Sequence, residues 1–335
     1  MVATKELVEN FREIEKKSLE SEQLLQNENA DVCTVILKVD NEKIDCGKKV
    51  FELEMFGKTF LEWAENSVFE TSIRYADYKY GEDFLPAVKR AVDTSKKYTF
   101  VLFADTPLFE HKTFLQIMEY FKMKGLSVLK LTRGYVFETK YLLEIDSLLN
   151  PQIQYFEEED FITCYSLKQY SMICDIMKNR IQSYFMKNGV VFEDPASTFV
   201  DADVQIGKGT VIAPFNQIKG KTVIEDNVVI KCGNVITDSI ICEHASISGS
   251  VVYKSLIGKD AVINEFCKIS NNTQICDNVE VPSHCILSEC VVKNTDKLKS
   301  FVNYKGEWYD TYCRSWKLWN GICWNKAQCW IYGTW

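Results

Sequence analysis

Asp105 follows the apolar run YTFVLFA, Tyr98 to Ala104, with no residue between them. If that run is a strand of an open α/β sheet, its carboxylate lies at the carboxyl edge, where ligands of such sheets sit. A carboxylate there could hold a Mg²⁺ that neutralises phosphate charge during nucleotidyl transfer. The plainer alternative is a turn or helix-capping role ahead of Thr106-Pro107, which Asp also performs well, and position alone favours it. The thirteen cysteines offer less metal chemistry, because no CxxC pair occurs and a structural zinc site needs closely spaced thiolates. Cys285 and Cys290 lack a matching second pair and read as small buried or turn residues.

Six of the seven tryptophans lie between Trp308 and Trp335, beside Cys313, Cys323 and Cys329. Their flat faces would suit a sugar or nucleobase. The expectation preferred here is a cap over the last coil of a solenoid, or an aberrant carboxyl end.

The elements that would position these groups are legible in the spacing of aliphatic residues. Val200, Ile206, Ile212, Ile218, Ile224, Ile230 and Ile236 recur every sixth residue, as do Val251, Ile257, Ile263, Ile269, Ile275, Val281 and Leu287. The two registers are out of phase, which predicts a loop or bulge near Asp238 to Gly249. Period six fits neither a helix nor a plain strand. It fits a left-handed parallel β-helix with three flat faces per coil, one branched aliphatic entering the core from each face. Thr210, Asn216, Thr222, Val228, Ala261, Cys267, Thr273 and Val279 fall four places after an inward aliphatic and suit the tight position beside each corner. Gly207, Gly209, Gly258, Asn227, Asn234 and Asp260 supply turn chemistry. The repeat is expected from Pro195 to Cys290. A β-helix can be a spacer or trimerisation platform without binding anything.

Upstream, CTVILKV (Cys33 to Val39), YTFVLFA and LSVLKL (Leu126 to Leu131) alternate with amphipathic stretches at Phe60 to Phe69, Phe84 to Val92 and Thr113 to Met123. That rhythm predicts a three-layer α/β domain, a Rossmann-like fold with a parallel sheet covered by helices. Ile173, Ile176, Met177, Ile181 and Phe185 predict a linking helix over Leu167 to Met186. The expected organisation is an amphipathic extension at 1–30, a shortened nucleotidyltransferase-like domain at 31–164, the linker helix at 165–190, the β-helix at 191–295 and a Trp/Cys-rich tail at 296–335. The net charge of −8 argues against nucleic-acid or membrane-coating surfaces, which need concentrated Lys and Arg. No apolar run reaches bilayer length and no signal peptide opens the chain. Those observations, with the unpaired cysteines, give the expectation of a soluble cytoplasmic protein.

The segment MKNGVVFEDPASTFVDADVQIGKGTVIAPFNQIKGKTVIEDNVVI, Met186 to Ile230, resembles the junction of the bacterial bifunctional N-acetylglucosamine-1-phosphate uridylyltransferase/acetyltransferase family, with landmarks at Gly189, Val190, Asp194 and Pro195. FADTPLFEHKTF, Phe103 to Phe114, resembles that family's Gly-Asp-Thr-Pro-Leu segment, which implies Asp105 as the catalytic residue and Mg²⁺ ligand. The resemblance places Lys49 near the Lys that contacts nucleotide phosphates, and makes Gly81 the counterpart of the glycine in the base-contacting loop. Gly57-Lys58 followed by FLEW resembles the family's Gly-Lys-Pro-x-Leu-Glu helix start.

The departures are equally specific. Where the family has Leu-Ala-Ala-Gly-x-Gly-Thr-Arg, this chain reads LKVDNEKIDCGKK, Leu37 to Lys49, with Asp40 where the first loop glycine would stand. A carboxylate there repels a triphosphate, and side chains block the backbone cradle. LTRGYVF, Leu131 to Phe137, either puts Thr132 where the family's second metal ligand, an Asn, would be or matches an earlier strand of the family, and on both readings the acceptor-binding stretch is missing. Neither His244 nor His284 lies in an acetyltransferase motif, so both are expected at corners or on the surface. The resemblance therefore implies a sugar-1-phosphate nucleotidyltransferase-like protein of UDP-N-acetylglucosamine lineage with weakened or lost catalysis. Its cofactor would be Mg²⁺ if active, its partner a nucleotide or nucleotide-sugar, and its assembly a homotrimer through the β-helix. The alternatives are a non-catalytic trimeric scaffold or binding protein and, further off, a hexapeptide-repeat acyltransferase.

Overall fold

The computed structural model describes residues 29–40, 47–148, 151–294, 296 and 298–305. The expected extension before Asn29 and the Trp-rich segment after Lys305 lie outside them. The described residues form two compact units, one holding the chain up to Leu53 with Thr59–Ile173, the other Glu54–Lys58 with the residues from Cys174 onward.

In the first unit, β1 (Val32–Asp40) is a nine-residue apolar strand whose side chains alternate between two buried faces. The short strands β2 (Glu54–Met55) and β3 (Lys58–Thr59), which fall in the second unit up to Lys58, pair with each other. Then follow α1 (Phe60–Ser67), β4 (Ser72–Lys79), α2 (Leu85–Ala91), β5 (Tyr98–Phe103), α3 (His111–Lys124), β6 (Val128–Leu131), β7 (Gly134–Glu138), α4 (Thr139–Glu144) and β8 (Gln152–Ile153). Helix α1 opens with a capping box: Thr59 Oγ1 accepts the Glu62 amide at 3.2 Å and Glu62 accepts the Thr59 amide at 2.6 Å, satisfying amides that the first turn leaves open.

The sheet order is β4-β1-β5-β7-β6-β8. It is mixed: β4, β1 and β5 are parallel, whereas β7 runs antiparallel to both β5 and β6. The reason is the two-residue connection Thr132-Arg133, since only antiparallel neighbours can be joined so tightly. Gly134 allows that closure. Its φ is 149°, and a Cβ there would stand 2.8 Å from the Val101 carbonyl oxygen.

Two cores cover the two faces of the sheet. Ile36, Phe100 and Leu102 pack with Ala64 of α1 and with Phe114, Ile117 and Phe121 of α3. Val35, Leu37, Val101 and Phe137 pack with Leu85 and Val88 of α2 and Leu142 of α4. The three-layer α/β expectation holds.

Helix α5 (Leu167–Lys187) is the expected long helix. It ends where Gly189, at φ 89°, lets the Val190 amide reach the Phe185 carbonyl at 3.0 Å and its own amide reach Met186 at 3.1 Å, the αL stop that glycine favours. The second unit then winds through the short strands β9 (Val191–Phe192) to β26 (Val291–Val292) and closes with β27 (Asn303–Lys305). Its three parallel sheets hold seven, six and six strands, the left-handed β-helix expected from the repeat. Strand β27 pairs with residues 286–288, so the coils continue past Cys290.

The register corrects two readings. No loop interrupts the coils between Ile236 and Val251. The inward aliphatics are Ile236, Ile241, Ile247, Val252 and Ile257, all fully buried, whereas Val251 is 41% exposed. The phase slip arises from short corners in which single residues, Asp238 (φ 49°), Gly249 (φ 49°) and Lys254 (φ 45°), make the turn in the αL region. Asn234 is not a turn residue either; it is fully buried.

Candidate functional site at the carboxyl edge of the sheet

Asp105 sits in the turn after β5, where strand direction put it, and the turn is closed by the Thr106 hydroxyl donating to the Phe103 carbonyl at 2.9 Å. Its side chain is 1% exposed and caps no helix. Instead Arg133 Nε donates to one carboxylate oxygen at 3.2 Å and Nη2 to the other at 2.6 Å. The guanidinium lies 4.0 Å from the Phe103 ring centroid and 5.8 Å from that of Tyr80. Burial pushes the Asp105 carboxyl above the usual carboxylate range, and the Arg133 charge draws part of that shift back.

Arg133 was not singled out by sequence reasoning. The signal was available, because LTRGYVF places a cation in the tight turn beside Thr132. The pairing of Gly134 with Leu102 then sets that turn against the end of β5.

Gly81 occupies the turn after β4, at φ 94°, and its amide donates to the Tyr78 hydroxyl at 3.4 Å. Tyr78 packs edge-on against Phe103 at 5.4 Å. Lys49 stands at the end of the β1 connection, its Nζ 3.4 Å from Asp40 Oδ2, both side chains about half exposed. The Asp40 carbonyl in turn accepts the Tyr80 amide at 3.0 Å. The three residues expected from sequence are thus linked along one edge, through Asp40 and Tyr80 from Lys49, and through Tyr78, Phe103 and Arg133 between Gly81 and Asp105.

Beside Arg133 opens a cleft of about 250 Å³, walled by Tyr78, Phe84, Phe103 and Tyr135 with Lys130 at its side. Phe84 and Tyr135 are stacked at 4.7 Å. Aromatic faces with two cations suit a ligand that joins a flat ring to an anion.

These residues do not fit a Mg²⁺ site. Mg²⁺ needs carboxylate oxygens free to enter an octahedral shell, whereas both Asp105 oxygens already accept from a cation that would repel the metal. Among the described residues no group of three or more His, Cys, Asp or Glu side chains gathers elsewhere. Cys285 and Cys290 are separately buried, the Cys285 thiol directed to the Lys299 carbonyl and the Cys290 thiol beside Thr273. His244 and His284 stand at corners with φ of 60° and 64°, as expected.

The described coils, Asp194 and Pro195 at the start of the β-helix and the inward aliphatics along it, invite comparison with known proteins. Residues 196–307 match the model of the GMPPB C-terminal domain. The bifunctional protein GlmU of Listeria monocytogenes serotype 4a is 36% identical over 132 residues, which is 39% of this chain and 29% of that protein. The β-helical part of this chain is GlmU-like. GlmU of Listeria innocua serovar 6a and of Clostridium kluyveri are each 33% identical over the same length. The chain spans under a third of the length of these GlmU relatives, and the likeness falls on the C-terminal part. What is shown is a likeness of the β-helical part alone to the GlmU relatives. Among the described residues no helix is long and apolar enough to cross a membrane.

Proposed function

We propose that this chain is a sugar-1-phosphate nucleotidyltransferase-like protein that retains a nucleotide or nucleotide-sugar site at the carboxyl edge of its α/β sheet. Its transfer chemistry is weakened or lost, and its β-helix assembles it as a trimer in the cytoplasm. One observation carries the reading: Lys49, Gly81 and Asp105, which the resemblance names, lie along a single strand edge beside the aromatic cleft. Weakened transfer is supported by two charges already engaged, Lys49 by Asp40 and Asp105 by Arg133. Assembly is supported by one face of the β-helix that leaves Phe199, Val251, Tyr253 and Ile286 more than a third exposed, an apolar surface of the kind that subunits cover.

The test combines binding with turnover. UTP and UDP-N-acetylglucosamine are expected to raise the melting temperature of the full chain. With Mg²⁺ and N-acetylglucosamine 1-phosphate, no pyrophosphate release from UTP is expected. Absence of any melting shift overturns the nucleotide site, and steady pyrophosphate release overturns the loss of catalysis. Light scattering that gives a monomer mass at working concentration overturns the trimer.

A further inference from the structure

We infer that Arg133 stands in for a divalent cation, so that the cleft beside it binds a nucleoside phosphate without metal. The inference rests on the nucleotide-site reading above. It begins with the Asp105 carboxylate, which is buried and committed on both oxygens to Nε and Nη2 of Arg133. Asp105 thereby fixes one edge of the guanidinium fork, and Phe103 fixes its face. Nη1 has no hydrogen-bond partner among the described residues, and Arg133 keeps 19% of its side chain exposed. A guanidinium held in this way presents its remaining donors to a phosphate at no further ordering cost.

Net charge matters, because the Asp105–Arg133 pair is neutral as a unit. Lys130 supplies the surplus: it lines the same cleft, and no carboxylate pairs with it among the described residues. Phe84, Tyr135 and Tyr78 offer ring faces for a base. A divalent ion bound to the phosphates would have to approach Arg133 and Lys130 directly, which Coulomb repulsion opposes. A metal-free polyphosphate carries more negative charge toward the same two cations and is favoured.

Calorimetric titration of the full chain with UTP, once in EDTA and once in excess Mg²⁺, tests this. Affinity in EDTA is expected to equal or exceed that in Mg²⁺, within about threefold. Mn²⁺ alone, followed by electron paramagnetic resonance, is expected to show no stoichiometric site. In Arg133→Met the metal-free affinity should fall by about tenfold or more and Mn²⁺ should restore it, since the Asp105 carboxylate then lies open to metal. A purely structural role for Arg133 would give loss without that restoration. Wild-type binding that is about tenfold tighter in Mg²⁺ overturns the inference and leaves the nucleotide site standing. No UTP binding in either buffer overturns both. The wild-type comparison does not depend on whether the variant folds.

Discussion

The side-chain oxygen of Asn216 accepts two hydrogen bonds from Asn234 one coil further on, from the backbone amide at 2.8 Å and from the side-chain amide at 3.0 Å. Asn234 repeats the motif, its own oxygen accepting the Ser250 amide at 2.9 Å. Ser250 then accepts the Cys267 amide at 2.9 Å. A polar spine therefore runs beside the inward aliphatic rows, each side-chain oxygen accepting an amide from the next coil. Asn234→Ala strands the Ser250 amide and a lone pair of Asn216 in the core, at about 1–3 kcal/mol for each unsatisfied group. Denaturant unfolding should show that loss, and the Asn216→Ala/Asn234→Ala double variant should cost less than the sum of the singles, as partners in one network do.

The short corners give a second expected outcome. Val252 points inward and Val251 outward, the reverse of what an unbroken six-residue period predicts. Val252→Thr buries a hydroxyl among aliphatic neighbours and should cost about 1–3 kcal/mol. Val251→Thr, a β-branched residue on the outer surface, should stay within about 0.5 kcal/mol. Equal losses at the two positions in denaturant melts would contradict the assigned register.

How much of this was legible depends on where the determining interaction lies. The inward rows from Val200 to Ile236 and from Ile257 to Leu287 could be read directly, because each aliphatic is dictated by its own place in the period. The slip was visible but its cause was not: a missing corner residue and a bulge leave the same gap in the pattern. Asn234 misled because asparagine is common in turns, and only the neighbouring coil reveals its inward amide. In the α/β unit, strand β4 escaped notice since SIRYADYK is an edge strand with Arg74 and Tyr75 exposed, lacking the apolar run of a central strand. Asp105 was found by following a strand to its end. Arg133 was not, because its partner lies 28 residues away, brought close by the hairpin of β6 and β7.

Thiol chemistry should divide along burial. Cys232 is exposed, whereas Cys33, Cys267 and Cys290 are buried and desolvation pushes their thiols up. Reaction needs the thiolate and access to it. Limited iodoacetamide labelling of the native chain, read by peptide mass spectrometry, should modify Cys232 before these three, which should stay unreacted until denaturant is added. Early modification of Cys267 would show that the coil around it opens without global unfolding.

The Asp105–Arg133 pair makes the sharpest stability prediction, because removing one partner and removing both should act in opposite ways. Arg133→Met leaves a buried carboxylate without its cation and should cost about 3–5 kcal/mol, whereas Asp105→Asn/Arg133→Met, which leaves no charge behind, should recover most of that loss. The pH dependence follows from the raised Asp105 pKa. A carboxyl that holds its proton more tightly when folded than when unfolded contributes stability below the unfolded value, near 3.9, and loses that contribution as pH rises through the folded value. Relative to Asp105→Asn, the wild-type chain should therefore lose stability as pH is raised from about 4 toward neutrality. A stability difference that grows in the wild type's favour over that range would mean that the Arg133 attraction outweighs burial and holds the native carboxyl below its unfolded value.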